Sequence, residues 1–297
     1  TEIQVVTRKS DEEVNKLGDD MMQVAKDLKV SFSDVAKATT ELYRQGLSDE
    51  EVDERREQVL KFSKVAGVSA TDATKLITVG VNSGLFKDAK EVTDVVTALG
   101  DSAATNAGQI QKGIQKAGYA AKEAGVSGKE LSAMLTVITA GTQLSGNVAG
   151  TTLRNVFSRI NRVKNPNEVV YDEKGNAMTA NTLAAVLNSA GISMYENGQM
   201  KGTTQILTDI GKVWDSLSDN KKNQIAYQLG GTQQYSNVAA LMAGFSETDE
   251  NGQTLMEKYL QLADESGNIV DEKYVDQADS LTAALTNLSN AFNALTS

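Results

Sequence analysis

Apolar residues recur at spacings of three and four along most of the first 165 residues. That spacing is the period of one buried face on an α-helix. The apolar positions of one such face are Val14, Leu17, Met21, Val24 and Leu28. The chain also has a single proline, and proline is the residue that most strongly interrupts helix interiors. The pattern therefore predicts one helix after another over this part of the chain.

Three of the predicted helices begin with the same signal, a serine that follows a valine and has an acidic residue three positions later. The three starts are Ser31 with Asp34, Ser69 with Asp72, and Ser127 with Glu130. The serine oxygen can accept a backbone N–H, and the acid can bond back to the serine, which is the capping box or its near relative. The first two helices also end on glycine, at Gly46 and Gly84. The recurrence indicates either a duplicated helical hairpin or chance repetition of a common cap, and its unequal spacing argues against a regular solenoid.

The pattern changes after the single proline, Pro166. Residues from about Val169 to Thr179 read as strand, turn and strand, which predicts a first β-hairpin. A second hairpin is predicted at about Ile192–Lys201, with Ile192 and Met194 alternating along its first strand and Asn197 and Gly198 at its turn. This dipeptide favours a type I′ turn, because both central residues of that turn need a positive φ.

Together these patterns predict a mainly α fold, a multi-helix globular array with two small β-hairpins that leads into a long C-terminal helix. We expect three regions: a helical region at 1–165, a mixed helix and hairpin region at 166–247, and C-terminal helices at 248–297. The last helix has a heptad of apolar residues. Its members are Leu281, Leu285, Leu288, Phe292 and Leu295. The heptad predicts a helix that continues beyond this sequence, and an ordinary terminal helix is the alternative.

Composition narrows the classes of function. The formal net charge is −10 with a pI of about 4.7, so non-specific nucleic-acid binding by the whole chain is disfavoured. The chain has no cysteine and no histidine, which removes disulfides, thiolate metal sites and the commonest general base. No apolar stretch approaches the roughly 20 residues that span a bilayer, so we expect no transmembrane segment, and no signal peptide is visible.

One helix departs from the acidic background. No acidic residue occurs from Leu131 to Asn167, and four basic residues cluster there. These residues are Arg154, Arg159, Arg162 and Lys164. They form a candidate interaction face for an acidic partner or nucleic acid, and a solvated face of an ordinary amphipathic helix is the alternative. Among them Arg154 is expected to be buried, so that Arg154→Glu would destabilise the fold more than the same change at Arg159 or Arg162.

The other candidate chemical motifs fail on spacing. The acidic segment from Glu247 resembles a calcium loop, but its twelfth position is Lys258 where a bidentate glutamate is needed. The segments DEKGN and DESGN also read as turns, and the glycine-rich GTQLSGNVAGTT lacks the lysine and the preceding strand of a phosphate loop. No pair of carboxylates and no nucleophile with its base is singled out. We therefore expect no metal, no cofactor and no catalytic residue.

Several stretches in order resemble the conserved core region of bacteriophage tail tape measure proteins. The matching elements are Ala140-Gly141, Gly150-Thr151-Thr152-Leu153-Arg154, Gly191-Ile192-Ser193-Met194-Tyr195, Ile206-Leu207-Thr208-Asp209-Ile210, Leu217-Ser218 and Gly230-Gly231. The resemblance covers roughly residues 25 to 250, with its stronger part in the second half. One departure is Gly230-Gly231, where many relatives have an aromatic residue, and this affects a packing detail.

The resemblance implies a structural module of a phage or prophage protein that acts in tail assembly and sets tail length. Such a protein lies in the tail tube lumen or at the tip, after assembly in the host cytoplasm, and is released ahead of the DNA at ejection. The implied partners are tail tube and tail-tip proteins and tail assembly chaperones, with self-association through the C-terminal helix and no specific nucleic acid. The globular part would not itself be the ruler of length.

Two other classes of function stay open at this point. One is a DNA- or membrane-contacting channel module, which the basic helix supports. The other is a cell-wall-degrading enzyme domain, against which the lack of any selected acid pair or nucleophile counts.

Overall fold

Helices make up most of the residues that the computed structural model describes, which are 2–163, 169–171, 177–179, 181–232 and 234–280. The helices are α1 (Glu2–Thr7), α2 (Asp11–Asp27), α3 (Phe32–Arg44), α4 (Asp49–Ala66), α5 (Ala70–Asn82), α6 (Ala89–Ser102), α7 (Ala107–Glu123), α8 (Gly128–Thr142), α9 (Gly146–Arg162), α10 (Asn181–Asn188), α11 (Thr203–Trp214), α12 (Asp219–Gly230), α13 (Tyr235–Ser246) and α14 (Leu255–Asp264). Residues 269–280 are also helical. The predicted mainly α class is confirmed, and the predicted heptad at Leu281–Leu295 lies outside the described residues.

Both predicted hairpins are present. In the first, β1 (Val169–Tyr171) pairs antiparallel with β2 (Ala177–Thr179). In the second, β3 (Tyr195–Glu196) pairs with β4 (Gln199–Met200). Each forms its own two-stranded sheet.

The second hairpin is shorter than predicted. Ile192 and Met194, which were expected to alternate along a strand, precede β3 and are buried. They anchor the segment to the core, and only two residues on each side form the ladder. The turn itself follows the prediction, with φ of 51° at Asn197 and 79° at Gly198. Positive φ at both central positions is what a type I′ turn requires.

The three repeated helix starts are N-caps, as predicted. At Ser127 the box is complete, because the serine oxygen accepts from the Glu130 N–H and the Glu130 carboxylate accepts from the Ser127 N–H. At Ser31 the side chain accepts from the Asp34 N–H, and its hydroxyl donates to the Asp34 carboxylate at 2.7 Å. The hydroxyl contact is not specific to aspartate, because the Ser48 hydroxyl also donates to the carboxylate of Glu51.

The chain divides into two compact units, residues 1–78 with 267–297 and residues 79–266. Neither limit coincides with the expected boundaries after 165 and 247, so the three regions stay a prediction. In the first unit α2, α3 and α4 pack in sequence around a core that includes Leu42 and Phe62. Helical residues 269–280 join this unit, where the Tyr274 hydroxyl donates to the Leu28 carbonyl and Lys61 Nζ lies 2.8 Å from Asp271.

The second unit is built around α8. Every residue of α8 from Leu131 to Thr139 is buried, as expected of a helix that is surrounded on all sides. Helices α6, α7, α9, α13 and α14 pack against it. The central helix thus fixes the position of α9, on which the basic residues lie.

Candidate functional site

Helix α9 presents one apolar face to the core and one polar face to solvent. Its apolar residues are buried as predicted, with exposure of 1% or less: Leu153, Val156, Phe157, Ile160 and Val163. Ser145 caps the helix start by accepting from the Val148 N–H. Burial of this stripe determines which of the arginines can reach solvent and which face neighbouring helices.

Helices α7 and α9 lie side by side in the same direction and approach closely through glycine. A Cβ added at Gly150 would lie 2.6 Å from the Gly113 carbonyl oxygen and 2.8 Å from the Lys116 Cβ. These distances leave no room for a side chain against rigid backbone. The two solvent-exposed faces are therefore neighbours on one surface.

Arg159 contacts the end of another helix. Its Nη1 donates to the carbonyl oxygens of Tyr227 at 3.4 Å and Gln228 at 3.2 Å, in the last turn of α12. The last carbonyls of a helix have no partner within it, and a cation there also interacts favourably with the helix dipole. A Cβ on Gly231, the residue that directly follows α12, would lie 3.1 Å from Arg159 Nη2. Arg159 is thus a structural cap for α12.

The other predicted basic residues have different environments. Arg154 and Arg162 are exposed, so the expectation that Arg154 is buried is wrong, because its position on α9 faces away from the apolar stripe. Lys164 lies outside the described residues. The predicted set therefore contains one packing arginine, Arg159, and two solvent-facing arginines.

The structure adds residues that sequence reasoning missed. Lys112 and Lys116 on α7 are exposed, and Tyr119 on the same helix is 62% exposed. We call Lys112, Lys116, Tyr119, Arg154 and Arg162 the α7–α9 basic face. A sequence signal existed, since residues 102–122 contain no acidic residue, but only the parallel packing of α7 and α9 joins this stretch to the arginines.

A buried polar cluster fixes α9 to α13. The Thr152 hydroxyl lies 2.6 Å from Gln234 Oε1, and Asn237 Nδ2 donates to Thr152 Oγ1 at 3.0 Å. Thr152 and Asn237 are 2% exposed or less. Because buried polar groups are costly without partners, this cluster sets the register between the two helices.

An ion pair joins the second hairpin to α11. Lys201 Nζ lies 2.7 Å from the Asp209 carboxylate, and both side chains are largely buried. Burial raises the pKa of Asp209, but hydrogen bonds from Lys201, Gln205 and Lys212 outweigh it and leave the pKa below its ordinary value. Asp209 belongs to one of the elements that carry the resemblance, and its role here is to hold the hairpin.

The acidic segments form turns. The Asp249 carboxylate accepts the N–H groups of Asn251 and Gln253, and Asn268 has a φ of 70°. Within the described ranges no group of three or more acidic residues is placed to hold a metal ion. DEKGN lies outside those ranges. The Asp249 carboxylate thus stabilises a turn of the backbone.

Two cavities show no arrangement for catalysis. One, of about 490 Å³ in the first unit, is lined mostly from α1, α2 and α3, by apolar side chains such as Met21 together with charged side chains such as Lys37 and Glu41. The other, of about 420 Å³, is lined by uncharged residues that include Asn106, Gln109 and Gln143. In the part of the chain that the structure describes, ionic contact at the α7–α9 basic face is the stronger candidate for binding.

The described residues thus form a mainly helical fold with a basic face on α7 and α9. The chain belongs to the family of phage-related minor tail proteins, whose family model matches residues 18–231. No solved structure matches the chain. The protein is therefore a structural component of a phage tail, and this membership favours a non-enzymatic role. Among the residues described, no helix is both long and apolar enough to cross a bilayer.

Proposed function

We propose that this chain is the globular module of a tail tape measure protein, which acts in tail assembly and tail length determination and leaves ahead of the DNA at ejection. Family membership supports the tail and the structural role. The narrower function is supported by the ordered sequence elements of the tape measure core, from Ala140-Gly141 to Gly230-Gly231.

The observation that carries the proposal is that these elements support one another within the second unit. Thr152, on α9, accepts a hydrogen bond from Asn237 on α13, and Arg159 on the same helix donates to the Gln228 carbonyl near the end of α12. The hairpin that follows Gly191–Tyr195 is held to the Asp209 element by Lys201. A set of short motifs that meets in one packed unit is more specific than the same motifs taken singly.

The module would contribute contacts rather than length. Its helices are short and packed side by side, whereas length measurement needs an extended element. A helix rises about 1.5 Å per residue, so a helical rod with the heptad pattern predicted at Leu281–Leu295 would convert residue number into distance. Tail tube proteins, tail-tip proteins and assembly chaperones are the proposed partners of the packed part.

The first test removes the module from the phage. An in-frame deletion of codons 18–231 should prevent assembly of tails of defined length, as seen by electron microscopy of lysates, while the tail tube protein is still produced. Supplying the intact gene in trans is the control and should restore tails. Normal tails on particles that infect poorly would contradict the proposal and favour an enzymatic or channel role at entry.

A further inference from the structure

The α7–α9 basic face carries four cations that the fold does not use. Lys112, Lys116, Arg154 and Arg162 have no ionic partner among the described residues. The chain has 39 acidic against 29 basic residues, and many of its other cations are paired. Examples of paired cations are Lys9, Arg56, Lys61, Lys129 and Lys201. Neighbouring unpaired cations on such an acidic protein indicate a surface that an acidic partner can neutralise.

The shape of this face suits a helix. Its two rows run along parallel helices, and Lys116 packs beside Gly150, one turn before Arg154. Along α9 the charges from Arg154 to Arg162 extend over about 12 Å at the helical rise per residue. Tyr119 adds an exposed aromatic ring, and aromatic and arginine side chains are the types enriched in protein interfaces.

The same chain carries a matching acidic row. Glu50 and Glu54 lie one turn apart on α4, are exposed, and have no ionic partner within the described part of the chain. Glu57 continues the row and pairs with Lys61. From Glu50 to Glu57 the row extends over about 10 Å, close to the length of the arginine row.

We propose that the α7–α9 basic face of one copy docks on the Glu50–Glu57 row of α4 in a second copy. The contact is heterologous, since it joins two different surfaces, so each copy keeps one free surface and association can continue head to tail. It is an ionic contact, so it weakens as salt screens the charges.

A second copy fits this face better than a nucleic acid. Four cations would neutralise only a few phosphates, so the counterion release that drives binding to a polyanion would be small. Binding of an acidic helix from a second copy requires charge complementarity only between two short rows of side chains. The contact also differs from association through the predicted heptad at Leu281–Leu295, which is apolar and would persist at high salt.

Sedimentation velocity of the purified chain tests the contact. At about 20 mM salt the weight-average sedimentation coefficient should rise with protein concentration, and at about 0.5 M salt the rise should disappear because the Debye length falls to a few ångströms. Arg154→Glu with Arg162→Glu should abolish the rise at low salt. Glu50→Lys with Glu54→Lys should abolish it as well.

Mixing the two variants gives the sharper result. Each retains one native surface, so the mixture should associate again although neither does alone. Lys75→Glu with Lys258→Glu changes net charge as much as the arginine pair does, at exposed positions elsewhere, and should associate like the parent. Equal melting temperatures by circular dichroism would show that the variants are folded.

Three results would overturn the proposal. The parent could stay monomeric at low salt, or the charge variants could associate as the parent does. The third result has two parts: the parent binds a fluorescent DNA duplex but does not self-associate, and the arginine variant does not bind the duplex. That result would assign the α7–α9 basic face to nucleic acid.

Discussion

At the scale of single residues, α9 separates its arginines by what each guanidinium contacts. Arg159 donates to two carbonyls at the end of α12, whereas Arg154 and Arg162 face solvent. Sequence periodicity identified the buried stripe of α9 correctly. It could not identify the packing arginine, because the acceptors lie nearly 70 residues away in sequence and only tertiary packing brings them together.

We therefore predict that Arg159→Ala destabilises the protein by about 1–3 kcal/mol, since it removes the side-chain donor from the Gln228 carbonyl, whereas the Tyr227 carbonyl keeps the Gly231 N–H. Arg154→Ala and Arg162→Ala are the matched controls and should change stability by less than about 0.5 kcal/mol. Urea denaturation at neutral pH measures all three. Equal stability of the three variants would show that the Arg159 contact contributes nothing.

A second residue-scale prediction concerns Asp209, whose pKa in the folded protein is lowered. A lowered carboxyl pKa stabilises the fold above the unfolded value, near 3.8, and this contribution is lost as pH falls through the folded pKa. Asp209→Asn should thus be less stable than the parent by about 1–2 kcal/mol at pH 7, because it leaves Lys201 without its charge partner.

The pH dependence provides the check. The difference between Asp209→Asn and the parent should narrow as pH falls below about 4, since the parent then protonates. Asp276→Asn, at an exposed position in the helical run 269–280, should show no such dependence. A stability difference for Asp209→Asn that stays constant down to pH 2.5, measured by urea denaturation, would rule out the ion pair as its source.

At the scale of elements, the close approach of α7 and α9 depends on glycine. Gly150→Ala would place a Cβ 2.6 Å from the Gly113 oxygen, so we expect destabilisation of about 1–3 kcal/mol. Gly18→Ala is the matched control, because Gly18 lies inside α2 with no atom within 4 Å of the added Cβ. That change should stabilise the protein by about 0.5–1 kcal/mol.

Thermal denaturation measures both variants: we expect a lower Tm for Gly150→Ala and a higher Tm for Gly18→Ala than for the parent. Shifts of the same sign would mean that the α7–α9 crossing tolerates a wider separation than the structure has.

The second hairpin gives another element-scale prediction. Asn197→Ala should weaken β3–β4 pairing by about 1 kcal/mol, because alanine tolerates a positive φ poorly. Gln199→Ala, in the adjoining strand, is the control. Amide hydrogen exchange of residues 195–200 should accelerate in the first variant alone, and unchanged protection would indicate that burial of Ile192 and Met194 holds the hairpin without the turn.

Local signals predicted the elements well and their lengths less well. Serine caps, glycine ends and the Asn-Gly turn act through neighbouring backbone, so Ser127, Gly46 and Asn197 could be interpreted without tertiary context. The strands of the second hairpin came out shorter because Ile192 and Met194 are buried in the core rather than in a ladder. Alternation alone does not distinguish these two outcomes.

At the scale of the whole molecule, the sequence predicted the helical class but not its division into units. Residues 267–280 lie with the first 78, an arrangement that depends on long-range contacts such as Lys61 with Asp271. The sequence likewise predicted only the α9 part of the α7–α9 basic face. The residues of α7 join that face through the parallel packing of the two helices, which the sequence pattern does not show. Family membership then places the molecule in a phage tail.

The central claim, a module of a tail tape measure protein, is tested most directly by tail length. A phage whose gene carries an insertion of about 70 helix-forming residues, kept in register with the predicted heptad at Leu281–Leu295, should build tails longer by about 105 Å at 1.5 Å per residue. Electron microscopy of purified particles gives the length distribution. A distribution centred on the parental length, in phage that incorporate the longer protein, would contradict the account.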